Sequence, residues 1–150
     1  MLSRSAEYAI RALALLAVRE ENGALQSREI AADLGLPPQF LTKILRRLTA
    51  TDLVISQRGR SGGFRLNRRA DQISLLELEL PFEHQWDGVE CILGQAYCTD
   101  QAACPIHDEW VGIRKSIFDL LEKTTLADIA ERAVRTPPTS DHVLSGEEQP

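Results

Sequence analysis

The chain has 150 residues, of which 43% are hydrophobic and 26% are charged. This composition suits one domain, or a small domain with an extension, and excludes wholesale disorder. No apolar run approaches the ~20 residues that span a bilayer. The longest run, residues 12–18, is followed by charged residues and lacks a cleavage pattern. We therefore expect a soluble, cytoplasmic protein without a membrane partner.

The net charge of -5 conceals two halves of opposite sign. Residues 1–70 contain 12 lysines and arginines against 6 acidic residues, whereas residues 71–150 contain 5 against 16. The first half is therefore basic and the second strongly acidic. Such an asymmetry favours contact between the first half and a polyanion, and nucleic acid is the leading candidate.

Two amphipathic helices are predicted at the start of the basic half. The first spans residues 5–18, where apolar residues recur at helical spacing. The second is expected to begin with Ser27 as its N-cap, with Glu29 in the first turn, and to end at Gly35.

A third helix follows after a turn of only three residues. Pro38 suits its first position, and apolar residues at 41, 44, 45 and 48 form one buried stripe. Its polar side carries Gln39, Lys43, Arg46 and Arg47. Two amphipathic helices joined by a short turn with glycine, the second with a basic outer face, are typical of a helix-turn-helix.

Two short strands, residues 53–55 and 63–66, are predicted on either side of a glycine-rich tip. The tip carries Arg58 and Arg60. Glycine allows a close approach to DNA and arginine supplies the attraction, so this pattern favours a DNA-binding β-wing over an ordinary surface hairpin.

The acidic half is predicted to contain three more helices. A short one covers residues 75–80 and another starts at a capping box formed by Thr125 and Asp128. Between them, a longer helix begins at residue 106. Its apolar residues are spaced 4, 3, 4 and 3 apart: Ile106, Trp110, Ile113, Ile117 and Leu120. This heptad seam favours dimerisation, with burial against the same subunit as the alternative.

All three cysteines lie in an aperiodic loop, in the pattern Cys91-x6-Cys98-x5-Cys104-x2-His107. Three thiolates and an imidazole can hold zinc or an iron–sulfur cluster. The long intervals favour a loop wrapped around the larger cluster, while three incidental thiols are the structural alternative.

The sequence resembles the iron–sulfur winged-helix regulators typified by IscR and NsrR, over about residues 1–134. The resemblance rests on several motifs in one order: residues 5–13, Leu34-Gly35-Leu36-Pro37, Phe40-Leu41-x-Lys43-Ile44-Leu45, Leu53-Val54, Arg58-Gly59-x-x-Gly62-Gly63-Phe64-x-Leu66, the cysteine loop and Thr124-Thr125-Leu126-Ala127-Asp128. It implies a homodimeric transcription factor whose DNA affinity changes with the state of a bound cluster.

The resemblance also implies a ligand set. Cys91, Cys98 and Cys104 match the family's cysteine ligands, and His107 matches the histidine that completes a 2Fe–2S site in IscR-like members. Glu7 falls where other members offer a carboxylate from the partner subunit. A 2Fe–2S cluster is favoured and a 4Fe–4S cluster is the alternative. In the structural alternatives, His107 only begins a helix and Glu7 only pairs with Arg11.

We therefore predict a mostly helical protein with a small β-wing, in which a winged helix-turn-helix domain (residues 1–70) precedes a cysteine-loop and dimerisation region (residues 71–134) and a disordered tail (residues 135–150). It would regulate transcription from double-stranded operator DNA as a homodimer, and would be neither an enzyme nor a binder of a small-molecule substrate. The alternative function keeps the DNA binding but uses the cysteines for zinc or as a thiol switch. The predicted DNA contacts are Ser27, Arg28, Gln39, Lys43, Arg46, Arg47, Arg58 and Arg60.

Overall fold

The computed structural model describes residues 3–59, 62–79, 81–82, 91–94 and 98–133. Its helices are α1 (Arg4–Val18), α2 (Ser27–Leu34), α3 (Pro38–Thr49), α4 (Leu75–Glu79), α5 (His107–Lys123) and α6 (Leu126–Ala133), and its strands are β1 (Val54–Gln57) and β2 (Gly63–Leu66). The predicted class, mostly helical with a small β-wing, is confirmed. Arg60, the predicted helix end at Leu80, residue 134 and the tail 135–150 lie outside the described residues.

The helix-turn-helix forms as the apolar spacing predicts. The stripe of α3 is buried against the rest of the chain: Leu41, Ile44, Leu45 and Leu48. Gly35 ends α2 with a φ of 64°, a left-handed conformation that glycine adopts without strain.

The predicted N-cap of α2 is wrong by one residue. Gln26 is the N-cap and Ser27 is the first residue of the helix. The backbone N–H of Gln26 donates to the Glu29 carboxylate at 2.7 Å. Because this carboxylate folds back onto the residue before Ser27, the helix begins there without a serine hydroxyl as its cap.

The wing is an antiparallel pair with Val54 opposite Leu66, and it has a third member that the sequence did not indicate. Leu25, between α1 and α2, exchanges two backbone hydrogen bonds with Phe64, at 2.9 and 2.8 Å. A Cβ at Gly63 would lie 2.3 Å from the Leu25 carbonyl oxygen. The close approach of these two segments therefore requires glycine, and it anchors the wing to the helical body.

The starts of α4 and α6 are joined by an isolated antiparallel bridge between Ser74 and Thr125. Each helix has a capping box. Glu77 accepts from the Ser74 N–H at 3.0 Å, and Asp128 accepts from the Thr125 N–H at 2.8 Å. The box predicted at Thr125 is thus confirmed.

One hydrophobic core unites the helical body. Residues of α4 and α6, and Leu121 near the end of α5, share it with α1, α3 and the wing. The largest buried side chains include Leu13, Ile30, Leu45, Ile73 and Leu126. The second half of the chain therefore helps to fix the position of the helix-turn-helix. Among the described helices, none combines the length and the apolar character needed to cross a membrane.

Candidate nucleic-acid interface and cysteine site

Three of the predicted DNA contacts share the exposed face of α3. Gln39, Lys43 and Arg46 are all exposed, opposite the buried stripe. Pro38 starts this helix, and the turn from α2 holds it with its apolar side on the core. The arrangement presents an amide and two cations on one helical surface, which suits the edges and phosphates of a DNA groove.

Arg47 has a different environment from its neighbour Arg46. Its guanidinium carbon lies 5.1 Å from the centroid of the Phe82 ring, which follows α4. This distance is within the range of a cation–π interaction. The structure therefore directs Arg47 towards the segment after α4.

Three further predicted contacts lie in α2 and directly after β1. Arg28 is exposed in the first turn of α2, beside the half-buried Ser27, and Arg58 is exposed at the end of β1. Sequence reasoning missed Arg65, which is exposed on β2. Its position on a wing strand was the available signal, since an outward basic residue there is as accessible to DNA as one at the tip.

The basic residues of the first half fall into two groups. Four arginines pair with carboxylates: Arg11 with Glu7, Arg19 with Asp33, Arg68 with Glu77 and Arg69 with Asp71. The hydrogen bond from Arg69 lowers the pKa of the Asp71 carboxyl below its ordinary value. By contrast, no ion pair with another described residue neutralises Arg28, Lys43, Arg46, Arg58 or Arg65. These five uncompensated cations lie on the helix-turn-helix and on or directly beside the wing strands.

The cysteine site is built around His107, the first residue of α5, which is only 5% exposed. Its Nδ1 lies 3.3 Å from Cys98 Sγ, and its Nε2 lies 3.0 Å from an Asp100 carboxylate oxygen. Its backbone N–H donates to the Cys104 carbonyl at 3.0 Å. Asp100 was not predicted, because an aspartate in an irregular loop has no distinguishing sequence signal.

The three cysteines are free and half-buried. Cys91 begins a turn in which its carbonyl accepts from the Gly94 N–H at 2.9 Å. Across the described segments, no three side chains of histidine, cysteine, aspartate or glutamate converge closely enough to share a metal ion. The structure thus brings His107 and Cys98 into direct contact, without assembling the whole predicted ligand set.

Glu7 makes the local contact that its spacing predicts. Its carboxylate lies 2.5 Å from the Arg11 guanidinium, one turn along α1, with both side chains about half exposed. An exposed pair of this kind contributes only a few tenths of a kcal/mol, about 0.3–0.5. Its role as a ligand stays a prediction.

The residues of the predicted seam of α5 do not all face the same way: some pack against their own chain and others are exposed. Trp110 and Ile117 are half-buried, and Ile117 packs against the core of its own chain. Ile113 and Leu120 are 54% and 64% exposed. The exposed side forms a shallow, open apolar groove lined by Glu109, Gly112, Ile113, Ser116, Ile117 and Leu120.

Comparison with known proteins places this fold in a family. The profile of Rrf2, described as an iron-dependent transcriptional regulator, matches residues 2–132. The chain belongs to the Rrf2 family. It is 37% identical over 134 residues to an HTH-type transcriptional regulator of Mycobacterium tuberculosis, covering 89% of this chain and 83% of that protein. An rrf2-like HTH-type regulator of Rhodobacter capsulatus is 34% identical over 137 residues, covering 86% and 91%.

Solved structures agree with the Rrf2 fold. CymR, the global cysteine regulator of B. subtilis, superposes with a TM-score of 0.77 at 24% identity, over 88% of this chain and 97% of that one. IscR of T. potens gives a TM-score of 0.71 at 23% identity, over 97% and 93%. These likenesses establish the winged-helix fold. Membership in Rrf2 makes the protein a transcriptional regulator, as predicted, and not an enzyme.

Proposed function

We propose that this Rrf2 protein is a cytoplasmic, homodimeric regulator whose affinity for operator DNA is controlled by an iron–sulfur cluster in the cysteine loop. The observation that carries the proposal is the buried His107, held between Cys98 and Asp100. Cys91, Cys98 and Cys104 would supply thiolates and His107 the fourth ligand. A 2Fe–2S cluster is the favoured occupant and a 4Fe–4S cluster the alternative.

The orientation of the His107 ring supports its role as a ligand. Asp100 accepts a hydrogen bond at 3.0 Å, which favours the tautomer with its proton on Nε2. Nδ1 then carries no proton, and its lone pair, on the side of the Cys98 sulfur, is available to bind a metal ion. Metal-binding histidines commonly have their second nitrogen fixed by a carboxylate in this way. When bound, the cluster supplies a reversible change of charge on the loop.

The DNA-binding surface follows from the exposed cations. Gln39, Lys43 and Arg46 would read the major groove from α3, while Ser27 and Arg28 would contact phosphate. The wing would place Arg58 and Arg60 on the backbone or in the minor groove.

Dimerisation through α5 completes the proposal. Exposed apolar side chains, among them Ile113 and Leu120, line a groove that a second copy of the helix can fill. A two-fold dimer would set two recognition helices about 34 Å apart, the repeat of one DNA turn. Because α5 begins at His107, a change at the cysteine site can alter the spacing of these helices.

The cluster is tested by anaerobic purification, a visible spectrum, and iron and sulfide counts per subunit. Replacing any of the three cysteines by alanine should bleach the protein, and His107→Ala should make the cluster labile. Asp100→Ala should weaken iron retention through His107, whereas Asp108→Ala on the adjacent exposed turn serves as a matched control. Stoichiometric zinc without iron would contradict the proposal. Loss of the cluster in Glu7→Ala, but not in His107→Ala, would move the fourth ligand to α1.

A thiol switch without a cluster is the second candidate, and the contact between Cys98 and His107 favours it. An imidazole 3.3 Å from a thiol can accept its proton and so assist oxidation. This candidate predicts a colourless anaerobic protein whose DNA affinity changes when added peroxide oxidises the Cys98 thiol to a sulfenic acid, with the peroxide reduced to water, and recovers on reduction by an added dithiol. Cys98→Ser should abolish that change.

The DNA surface is tested separately with Lys43→Ala, Arg46→Ala and Arg58→Ala. Each substitution removes a cation from both subunits of the proposed dimer, so it should lower the slope of log affinity against log salt by about 1.8 where that cation binds a phosphate, at about 0.9 per contact. Circular dichroism should stay unchanged, since all three side chains are exposed. Unaltered affinity and slope in all three variants would contradict the assignment of this surface.

A further inference from the structure

The contact between Arg47 and Phe82 sets this arginine apart from the other cations near the helix-turn-helix. Arg47 belongs to the last turn of α3, next to Arg46. Successive residues of a helix point about 100° apart, so the two side chains leave the axis in different directions. The Arg47 guanidinium lies over the Phe82 ring, 5.1 Å from its centroid.

Phe82 is well placed to hold a side chain in this position. It is half-buried and packs against the hydrophobic core, and its N–H donates to the Glu79 carbonyl at 2.8 Å. The ring therefore presents a fixed face to α3. Arg47, in contrast, remains exposed and forms no ion pair with any described residue. The cation–π contact with Phe82 is the interaction that the described residues show for its charge.

We propose that Arg47 is a reserve DNA contact, withheld from the phosphate backbone by Phe82. This inference rests on the proposed DNA-binding surface of α3. With the ring in place, Lys43 and Arg46 bind DNA and Arg47 does not. When Phe82 moves away, the long side chain is free to turn towards the duplex and adds one phosphate contact. Phe82 stands between α4 and the cysteine loop in the sequence, so this contact links the recognition helix to the regulatory half of the chain.

The salt dependence of DNA binding tests the inference, because each phosphate contact contributes about 0.9 to the slope. The probe is a short duplex of mixed sequence, titrated between about 50 and 200 mM salt. Phe82→Leu keeps an apolar side chain but removes the ring. It should free Arg47 in both subunits of the proposed dimer and so steepen the slope by about 1.8, equivalent to a roughly twelvefold larger loss of affinity across that range.

Three further variants make the result specific. Arg47→Gln alone should leave the slope unchanged. When Arg47→Gln is combined with Phe82→Leu, the slope should return to that of the unaltered protein. Phe82→Tyr, which keeps the aromatic face, should behave like the unaltered protein. If Phe82→Leu does not fold, Phe82→Met provides the same readout with a flexible apolar side chain.

Arg46→Gln separates failure of the inference from failure of the proposed function. A lower affinity or a lower slope in Arg46→Gln shows that α3 contacts DNA. Given that result, the inference is overturned if Arg47→Gln lowers the slope too, or if Phe82→Leu leaves it unchanged. A slope near zero in the unaltered protein would overturn both the DNA surface and the inference.

Discussion

The helical body (α1–α4, α6 and the wing) and the α5 region (α5 with the cysteine loop) of this Rrf2 protein differ in how fully a single chain buries their apolar side chains. In the body, leucines such as Leu13 and Leu45 are fully buried, and the Ser3 side chain caps α1. Along α5 and the cysteine loop, large apolar side chains remain exposed, including Leu93 at 61% and Leu120 at 64%, while the ionisable His107 is buried. The body buries its large apolar side chains within one chain. The α5 region leaves apolar surface that the second copy proposed above would cover.

The largest expected effect comes from a charge placed in the exposed groove of α5. Ile113→Asp should dissociate the dimer, because dimerisation would bury an unpaired carboxylate at a cost of several kcal/mol. Operator binding should be lost with it. Sedimentation at several concentrations measures the first effect and DNA titration the second.

Val111→Asp is the matched control for that variant. Val111 is also exposed on α5 but does not line the groove, so its replacement should leave the dimer intact. A dimeric Ile113→Asp protein, or a monomeric Val111→Asp protein, would show that the groove is not the interface.

A pair of leucine truncations distinguishes the two regions directly. Leu45→Ala, in the core, should lower the free energy of unfolding by about 2–5 kcal/mol. Leu120→Ala should change the stability of the monomer by less than about 0.5 kcal/mol, because its side chain is already in solvent. Urea unfolding at low protein concentration measures both. Equal losses of unfolding free energy in the two variants would show that the body and the α5 region do not differ in burial.

The sequence predicted the body well because its signals are local. Apolar spacing located α1 and α3, and Gly35 ended α2 as expected. The errors arose from contacts that apolar spacing does not report, one of them local and the other between distant segments. The Glu29 carboxylate shifted the N-cap of α2 to Gln26. The bridge between Leu25 and Phe64 involves a single residue outside any strand, which leaves no periodic pattern to detect.

The candidate site was less predictable, for the same reason. Spacing indicated the cysteines and His107, but it contained no information on Asp100, whose partner is fixed only by the folded loop. A heptad pattern also cannot separate two sides of one helix, and α5 turns Ile117 inward while leaving Ile113 exposed. Similarly, the position of Arg47 depends on a ring 35 residues further along the chain.

A smaller effect is expected at Gly112, where helix stability favours a larger side chain and close contact between two copies of α5 favours glycine. A Cβ there meets nothing within 4 Å in its own chain, so Gly112→Ala should stabilise the isolated helix by about 1 kcal/mol. The same methyl group enters the groove and should weaken the dimer. Thermal unfolding of dilute protein and sedimentation report the two changes. A variant that gains stability while its dimer stays intact would place the interface away from Gly112.

The smallest effect concerns the capping box of α6 and its dependence on pH. Hydrogen bonds from the Thr125 hydroxyl and backbone N–H hold the pKa of Asp128 below its ordinary value near 4. A carboxylate whose pKa is lowered by folding contributes stability above its unfolded pKa, and loses that contribution as the pH falls through the folded pKa. Asp128→Asn should therefore be slightly less stable at neutral pH and lose less stability than the unaltered protein as the pH falls below about 4. Thr125→Val, which removes only the hydroxyl, should show an intermediate profile. Urea unfolding at a series of pH values measures this, and parallel profiles for all three proteins would show that the capping box is not the source of the acid sensitivity.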